Sequence, residues 1–154
     1  MSMSSVMPKN TTARGELSEW EIALALARTG KNVLRPLSAG LRYDLAIDNG
    51  DGSITRVQCK TGILRNGVIL FRTYNADGRR PHGVRYFGQV DAFGVYCPQM
   101  RRAYLVPLSA LATSGTAYLR VGSPRNGQAR RIRYASTFEI SAPSEAEATS
   151  SANG

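Results

Sequence analysis

The sequence predicts an α/β fold in which a mixed β-sheet is flanked by helices and carries an added β-hairpin. Two observations lead to this prediction. Residues 43–48 and 54–61 alternate apolar and polar side chains with the period of a strand, and the turn sequence NGDG lies between them. Residues 15–28, just upstream, have the period of an amphipathic helix. With 154 residues, the chain is long enough for one domain with its own core.

The helix predicted at residues 15–28 ends at Thr29-Gly30, because glycine is the usual residue just past a helix C-terminus. Its water-facing side is expected to hold Ser18, Glu21, Ala25 and Arg28. Two apolar stripes are expected on the remaining surface, one with Leu17, Trp20, Leu24 and Ala27 and the other with Ile22, Ala23 and Leu26.

Glu19 falls between the apolar residues of this helix, away from the water-facing side. A carboxylate turned inward is costly unless it meets a cation or a metal ion. Glu19 is therefore a candidate site residue. The alternative is that it only offsets the positive end of the helix dipole.

The first hairpin carries the strongest candidate site. A turn centred on Asp51 pairs residue 48 with 54, 46 with 56 and 44 with 58. Asp44 then faces Gln58 with the Cβ atoms roughly 5 Å apart, and Lys60 follows one pleat later on the same face. A carboxylate, an amide and an ammonium in one small volume are typical of a metal site with a catalytic lysine. The competing interpretation is that these side chains are ordinary solvated strand residues.

The remaining elements follow from turn signals and apolar runs. A short strand at 31–36 precedes a loop at 37–42, and Asn66-Gly67 predicts a tight hairpin between 63–65 and 68–71. Apolar strands are expected at 90–98 and 103–107, followed by one or two helical turns at 108–113. A third hairpin is expected between 117–121 and 130–134. Residues 1–13 and 141–154 have the composition of disordered tails, which leaves a domain at 14–140.

The charge indicates a polyanionic partner, because the net charge is +9 and the isoelectric point is about 10.2. Only Lys9, Lys31 and Lys60 of the 20 basic residues are lysines, and the planar fork of arginine suits phosphates and guanine edges. Two arginine-rich segments, 72–89 and 117–134, are candidate DNA-binding surfaces. Their alternatives are a solvated loop and a positively charged edge strand that resists aggregation. The candidate DNA-binding residues are Arg72, Arg79, Arg80, Arg85, Arg120, Arg125, Arg130, Arg131 and Arg133.

Other classes of protein are disfavoured. No apolar run approaches the roughly 20 residues of a membrane span, and the first residues lack the apolar centre of a secretory signal. Cys59 and Cys97 lie in separate apolar runs without metal-ligand spacing, which is typical of buried, reduced thiols. We therefore expect a cytoplasmic protein that is nucleoid-associated when it binds DNA.

The ordered set of a helix Glu19, then Asp44, then Gln58-x-Lys60 resembles the PD-(D/E)xK nuclease superfamily in a variant with glutamine at the second acidic position. Further segments resemble its small group I intron-encoded homing endonucleases over residues 14–140. These segments are GELSEWEIALALARTGKNVLRP, YDLAID, VQCKTG, VDAFGVYCP, YLVP and PRNGQARRIRYASTFEI. The resemblance implies a restriction-endonuclease-like core. It departs from the pattern at Tyr43, where the family usually has proline, and at the neutral Gln58.

The resemblance also implies roles for individual residues. Asp44 matches the central metal-binding aspartate, Lys60 the catalytic lysine and Glu19 the helix glutamate. The implied metal is Mg²⁺, with Mn²⁺ as a substitute, because Mg²⁺ prefers oxygen ligands. The implied oxygen donors are Asp44, Gln58, the backbone carbonyl of Cys59 and Glu19.

The function expected from these residues is metal-dependent hydrolysis of phosphodiester bonds in double-stranded DNA, of the homing type. One chain carries one such site, so cutting both strands needs a homo-oligomer, either a dimer or a tetramer. Two alternatives stay open. One is a structure-specific resolvase of Holliday-type junctions, and the other is a DNA-binding module without activity.

Overall fold

A computed structural model describes residues 7–74, 88–111, 115–122 and 132–142. Helix α1 (Thr11–Arg28) lies on one face of a five-stranded sheet with the strand order β1-β2-β3-β6-β7. The strands of this sheet are β1 (Asn32–Leu34), β2 (Leu45–Asp48), β3 (Ile54–Thr61), β6 (Ala92–Cys97) and β7 (Arg102–Pro107). The β3–β6 pair is parallel and the other pairs are antiparallel, so the sheet is mixed, as predicted.

A second, antiparallel sheet with the order β4-β5-β8 packs against the other face of the five-stranded sheet. Its strands are β4 (Ile63–Arg65), β5 (Val68–Arg72) and β8 (Thr116–Arg120). The predicted hairpin at Asn66-Gly67 is confirmed, because both residues have the positive φ, 50° and 73°, that a type I′ turn needs. A short 3₁₀ helix (Leu108–Ala110) and helix α2 (Ala135–Phe138) complete the described elements.

Two apolar clusters lie on the two faces of the five-stranded sheet. Ile22 and Leu26 of α1 pack on Leu45, Ile47 and Val57. On the opposite face, the core between the two sheets is formed by buried residues of both, including Ile69, Phe71, Phe93, Val95, Tyr104, Val106 and Leu119. Alternation along β3 therefore sends Val57 and Cys59 towards α1. It sends Gln58 and Lys60 towards the three-stranded sheet.

Two of the three residue pairs predicted for the first hairpin are confirmed. Asp48 pairs with Ile54, and Ala46 pairs with Arg56. The ladder begins at Leu45–Val57, so the third pair, 44 with 58, is not part of it. Instead the Asp44 N–H donates to the Val57 carbonyl at 2.9 Å, one residue out of register. The chain thus bends away from the ladder at Asp44, the kind of local displacement that re-aims a side chain.

Two expectations about α1 are wrong. The helix begins at Thr11, capped by the Asn10 side chain, rather than at Gly15. Ser18, expected in water, is the most deeply buried polar residue of the described chain at 1% exposure, whereas Trp20, expected in an apolar stripe, is 63% exposed. The buried stripe is Ser18–Ile22–Leu26, because the Ser18 hydroxyl finds a partner in the Thr61 hydroxyl at 2.5 Å.

The third predicted hairpin is also wrong as far as its residues are described. β8 pairs with β5, and its bridge to Tyr134 through Arg120 is parallel, with the Arg120 N–H donating to the Arg133 carbonyl at 2.7 Å. A hairpin would require antiparallel pairing. The turn between the two predicted strands lies outside the described residues.

Asp91 lies just before β6 and has a structural role, which is to bind Arg56 of β3. Its carboxylate accepts from the Arg56 backbone N–H at 2.7 Å and from the Arg56 guanidinium at 3.0 and 3.1 Å. The same guanidinium donates to the Gly88 carbonyl at 2.9 Å. This ion pair fixes the start of β6 to β3, the strand that carries the candidate site.

The close contact of α1 with β6 yields a stability prediction. A Cβ added at Gly94 would lie 2.7 Å from Cγ2 of Ile22 and 3.1 Å from Cγ1 of Val57, both fully buried and β-branched. We expect Gly94→Ala to lower the free energy of unfolding in urea by about 1–3 kcal/mol.

The matched control is Gly15→Ala, whose Cβ would point into open space within α1. It should raise the free energy of unfolding by about 0.5–1 kcal/mol, because alanine is the better helix former. Equal stability of Gly94→Ala and the wild-type protein would contradict the described packing of α1 on β6.

Candidate active site at the end of strands β2 and β3

The carboxylate of Asp44 is the centre of the site. Its Oδ2 atom accepts two hydrogen bonds, from Nε2 of Gln58 at 2.6 Å and from the backbone N–H of Cys59 at 2.7 Å. The side chains of Asp44 and Gln58, expected to face each other, are therefore in direct contact.

β3 continues past the end of β2, and this difference in length creates the site. β2 begins at Leu45 opposite Val57, so no strand from the described part of the chain lies against residues 58–61 on that side of β3. The N–H and C=O of one strand residue point to the same side of the strand. Because the Cys59 N–H points to Asp44, the Cys59 carbonyl also faces the gap that β2 leaves.

Lys60 lies beside this carboxylate but is held by a different group. Its Nζ atom donates to the backbone carbonyl of Tyr74 at 3.3 Å, just past the end of β5. Burial lowers the pKa of Lys60, and the neighbouring Asp44 carboxylate partly offsets this effect. The sequence does not reveal the Tyr74 carbonyl as a partner, because Tyr74 reaches Lys60 only through the packing of the second sheet on the first.

Glu19 is near the site without a hydrogen bond to its other members in the described contacts. Its Oε2 atom pairs with the guanidinium of Arg35 at 3.5 Å, and that guanidinium also lies over the Trp20 ring, 5.2 Å from its centroid. The buried Ser18–Thr61 hydrogen bond fixes this turn of α1 over the end of β3. Glu19 is close enough to Asp44 for the two carboxylates to affect each other electrostatically.

Arg35 is the residue of this site that the sequence did not reveal. It follows β1 and reaches Glu19 only because β1 lies next to α1. An exposed arginine after a short strand carries no local signal of such a contact. Trp20, Glu19 and Arg35 also line an apolar groove of about 340 Å³ between α1 and β1.

Burial dominates the electrostatics of the acidic groups. It raises the pKa of Asp44, against the lowering effects of the Cys59 N–H, Lys60 and Arg35. Burial and the Asp44 charge raise the pKa of Glu19, and Arg35 lowers it. Burial, Asp44 and Glu19 raise the pKa of the Cys59 thiol, so Cys59 is a neutral thiol rather than a metal-binding thiolate.

The donor set fits a hard divalent cation. The Asp44 carboxylate and the Cys59 carbonyl face the gap beside β2, Gln58 contacts Asp44 through its Nε2 atom, and Glu19 is close enough to influence the Asp44 charge. Within the described ranges, no three His, Cys, Asp or Glu side chains form a group able to hold a metal ion. Oxygen donors with few charges suit Mg²⁺, which keeps several of its waters.

The raised pKa values predict how stability changes with pH without metal. The folded state holds the Asp44 proton more tightly than the unfolded chain does, so this contribution is present below the unfolded pKa and is lost as pH rises through the folded pKa. Glu19 contributes with the same sign. In EDTA, we expect Asp44→Asn to gain stability relative to the wild-type protein between about pH 4 and about pH 8.

Urea unfolding of both proteins at the two pH values measures this difference. Asp48→Asn is the matched control, since Asp48 lies at the far end of β2 and its carboxylate accepts an N–H from the adjacent turn. If the difference between Asp44→Asn and the wild-type protein were the same at both pH values, burial would not control the Asp44 charge.

Of the arginines predicted to bind DNA, only Arg72, Arg120 and Arg133 lie within the described residues. Arg72 is exposed at the end of β5, with its guanidinium 5.9 Å from the centroid of the Tyr74 ring. Arg120 ends β8, and Nε of Arg133 donates to the Ala110 carbonyl at 2.6 Å. The others lie outside the described residues, namely Arg79, Arg80, Arg85, Arg125, Arg130 and Arg131.

Comparisons with known proteins identify the family and the fold of the chain. The family model described as PD-(D/E)XK endonuclease matches residues 9–141. The solved structure of a bacterial homing endonuclease, I-Ssp6803I, is similar over 85% of this chain and 87% of its own, with a TM-score of 0.62 and 19% sequence identity. At that identity the similarity concerns the fold, which is restriction-endonuclease-like as expected. A search of curated proteins found no match. No helix in the described ranges is long and apolar enough to cross a membrane.

Proposed function

Because the chain belongs to the PD-(D/E)XK endonuclease family, we propose that it is a metal-dependent enzyme that hydrolyses phosphodiester bonds of double-stranded DNA. We further propose that it is of the homing type and that residues 14–140 form its catalytic domain. The observation that carries the proposal is the half-buried Asp44 carboxylate, held by Gln58 and the Cys59 N–H in the gap beside Lys60.

Asp44 and the Cys59 carbonyl are the proposed inner oxygen ligands of Mg²⁺, with Mn²⁺ as a substitute. A bound divalent cation would supply positive charge against the negative charge that develops on the phosphate during cleavage. Gln58 now donates its N–H to Asp44. Turning its amide about the terminal torsion would present the oxygen to the cation. Glu19, at the edge of the gap, is proposed to act through a metal-bound water, since Arg35 holds its carboxylate.

Lys60 is the proposed catalytic residue that acts either on the attacking water or on the phosphate. Burial lowers the pKa of Lys60, so the neutral amine is more populated than it would be in an exposed lysine. The neutral Nζ atom can accept a proton from the attacking water. In its charged form, Nζ would instead donate to a phosphate oxygen. The charged form can keep one hydrogen on the Tyr74 carbonyl and donate another to the phosphate, whereas the neutral amine can still donate to that carbonyl and accepts the proton through its lone pair.

We propose a homo-oligomer, either a dimer or a tetramer, because each chain carries one site and a duplex has two strands to cut. Cys59 and Cys97 are free thiols, which is consistent with a reducing cytoplasm. In that compartment the protein would associate with the nucleoid when it binds DNA.

The test is cleavage of linear duplex DNA of high sequence complexity, with synthetic four-way junctions and single strands as parallel substrates. Purified protein with Mg²⁺ should cut duplex DNA, and EDTA should prevent it. Preferential cutting of junctions would instead indicate a resolvase. Binding without cutting of any substrate in Mg²⁺ or Mn²⁺ would indicate a DNA-binding module and contradict the proposed activity.

The Gln58 position yields a prediction about metal affinity. In Gln58→Glu, a carboxylate replaces the amide that now lies 2.6 Å from Asp44, so the two charges repel each other without metal. We expect a lower melting temperature in EDTA and a larger rise in melting temperature on adding Mg²⁺ than the wild-type protein shows.

Gln58→Met is the matched control, since it keeps the length of the side chain and removes its polar atoms. It should show a smaller response to Mg²⁺ than the wild-type protein. The proposed ligand role of position 58 would be wrong if the glutamate variant responded to Mg²⁺ no more than the wild-type protein does.

A further inference from the structure

The three-stranded sheet presents a face that the proposed active site does not use. Ile69, Phe71, Ala117 and Leu119 point inward to the core. Alternation therefore turns the other residues of these strands outward. We call this surface the outer face. Its members are Ile63, Arg65, Val68, Leu70, Arg72, Thr116, Tyr118 and Arg120.

Strand pairing arranges the outer face in three rows that run across the strands. One end row is Arg65–Val68–Arg120, and the other pairs Arg72 with Thr116. Between them lies the apolar row, which consists of Ile63, Leu70 and Tyr118. Ile63 is 46% exposed and Tyr118 is 51% exposed, so the apolar row is open in the described structure.

The charge of this region has a single sign. Three arginines lie on the outer face, and no aspartate or glutamate occurs in residues 60–74, 115–122 or 132–138. An exposed apolar row between arginines fits a polyanion with an apolar interior surface. A surface that only faces water would not need the exposed apolar row, and a basic protein partner would be repelled by the arginines. Double-stranded DNA has this combination, because phosphates flank the base edges of each groove.

The dimensions of the outer face match a DNA groove. The two arginine-bearing rows are four residues apart along β5, or about 14 Å at the rise of a strand. The major groove of B-DNA is about 12 Å wide. Across the strands, the apolar row spans two strand spacings, about 10 Å, which corresponds to roughly three base pairs.

We propose that the outer face lies across the major groove of double-stranded DNA, with its arginines on the two phosphate backbones and the apolar row over the base edges. This inference rests on the proposed function and adds a surface that selects the DNA sequence. Tyr118 and Ile63 contact base edges, including the methyl group of thymine. Arg65, Arg72 and Arg120 bind phosphates and set the position of the sheet.

The outer face is continuous with the proposed site through the end of β5. The Tyr74 carbonyl that accepts from Lys60 lies two residues after Arg72, and the Arg72 guanidinium is 5.9 Å from the centroid of the Tyr74 ring. DNA held at Arg72 would therefore have a phosphate backbone next to the lysine.

The arginines are tested by binding of 30-base-pair random duplexes in EDTA over a range of salt concentrations. The triple variant Arg65→Gln, Arg72→Gln, Arg120→Gln should bind more weakly, with a salt slope smaller by about 0.9 for each lost phosphate contact. The matched control is Lys9→Gln, Arg28→Gln, Lys31→Gln, which removes three exposed charges that lie outside the three-stranded sheet.

Equal salt slopes for the wild-type protein and the outer-face variant, or an equal loss in the control variant, would overturn the inference. In both cases the cleavage test could still succeed, so the proposed function would stand. A wild-type protein that bound no duplex at any salt concentration would overturn both.

The apolar row is tested by selecting bound sequences from a randomised duplex library. The wild-type protein and Tyr118→Phe should enrich the same sequences. Tyr118→Ala should lose the preference at about three adjacent base pairs, whereas Leu24→Ala, an exposed apolar residue on α1, should keep it. Base reading by the apolar row would be overturned if Tyr118→Ala kept every wild-type preference, or if the wild-type protein enriched no sequence.

Discussion

Replacing Lys60 by alanine is expected to lower the rate of DNA cleavage roughly 10³-fold while changing the affinity for duplex DNA by less than about threefold. Lys60 is the lysine beside the Asp44 carboxylate, and its Nζ atom donates to the Tyr74 carbonyl just past the end of β5. Its loss removes a proton acceptor or a phosphate contact from the reaction. Single-turnover cleavage and binding in EDTA measure the two effects separately.

Lys60→Arg tells which of the two roles Lys60 has. Arginine keeps the positive charge but stays protonated in proteins. If Nζ serves mainly as a charge, the arginine variant recovers part of the activity that the alanine variant loses. If Nζ accepts a proton, the two variants are equally slow. Cleavage by Lys60→Ala within about threefold of the wild-type rate would exclude both roles.

Asp44→Asn is expected to reduce cleavage by about 10³-fold or more and to abolish the stabilisation that Mg²⁺ gives the wild-type protein. The amide keeps the shape of the carboxylate and can still accept the Cys59 N–H, so the fold should be preserved. Without metal this variant gains stability at high pH relative to the wild-type protein, because burial raises the pKa of Asp44. The site thus carries a charge that costs stability until a cation binds.

Thermal unfolding with and without millimolar Mg²⁺ measures the metal response of this variant, and the cleavage assay measures its activity. Asp91→Asn is a useful comparison, because it disturbs a structural carboxylate that pairs with Arg56. It should lower stability with no selective effect on the response to Mg²⁺. If Asp44→Asn were stabilised by Mg²⁺ as strongly as the wild-type protein, Asp44 would not be a metal ligand.

Local signals made much of the sheet predictable. The NGDG turn fixed the pairing of Asp48 with Ile54, and the period-2 pattern of β3 put Gln58 and Lys60 on one face. Asn66-Gly67 likewise determined the second hairpin, because few residue pairs adopt two consecutive positive φ angles. In each case the information lies within about a dozen residues of the chain.

Two of the wrong predictions concern contacts between distant segments. The buried side of α1 includes Ser18 because Thr61, on another element, offers its hydroxyl a partner. A hydrophobic pattern assigns serine to water. β8 pairs with β5, more than 40 residues earlier, rather than with the nearer segment that its turn signal favoured. Non-local pairing of this kind depends on the core between the two sheets, which no local pattern contains.

The candidate site likewise contains contacts that local sequence predicts and contacts that depend on distant segments. Asp44 and Gln58 could be paired from the hairpin alone, whereas the contact of Arg35 with Glu19 depends on the packing of β1 beside α1. Arg35 now links Glu19 to Trp20 and contributes to the electrostatics of Asp44. The displaced ladder at Asp44, which aims its carboxylate at the Cys59 N–H, was equally invisible in the sequence.

The most direct test of the central claim is a comparison of cleavage products from a complex genomic DNA preparation, sequenced at their ends, for four proteins with Mg²⁺. The wild-type protein and Arg28→Gln should produce new DNA ends at recurrent positions, and EDTA should prevent this. Asp44→Asn and Lys60→Ala should produce none above background while still binding the DNA. Equal cleavage by all four proteins, or by none of them, would contradict the assignment of a metal-dependent nuclease site to Asp44, Gln58 and Lys60.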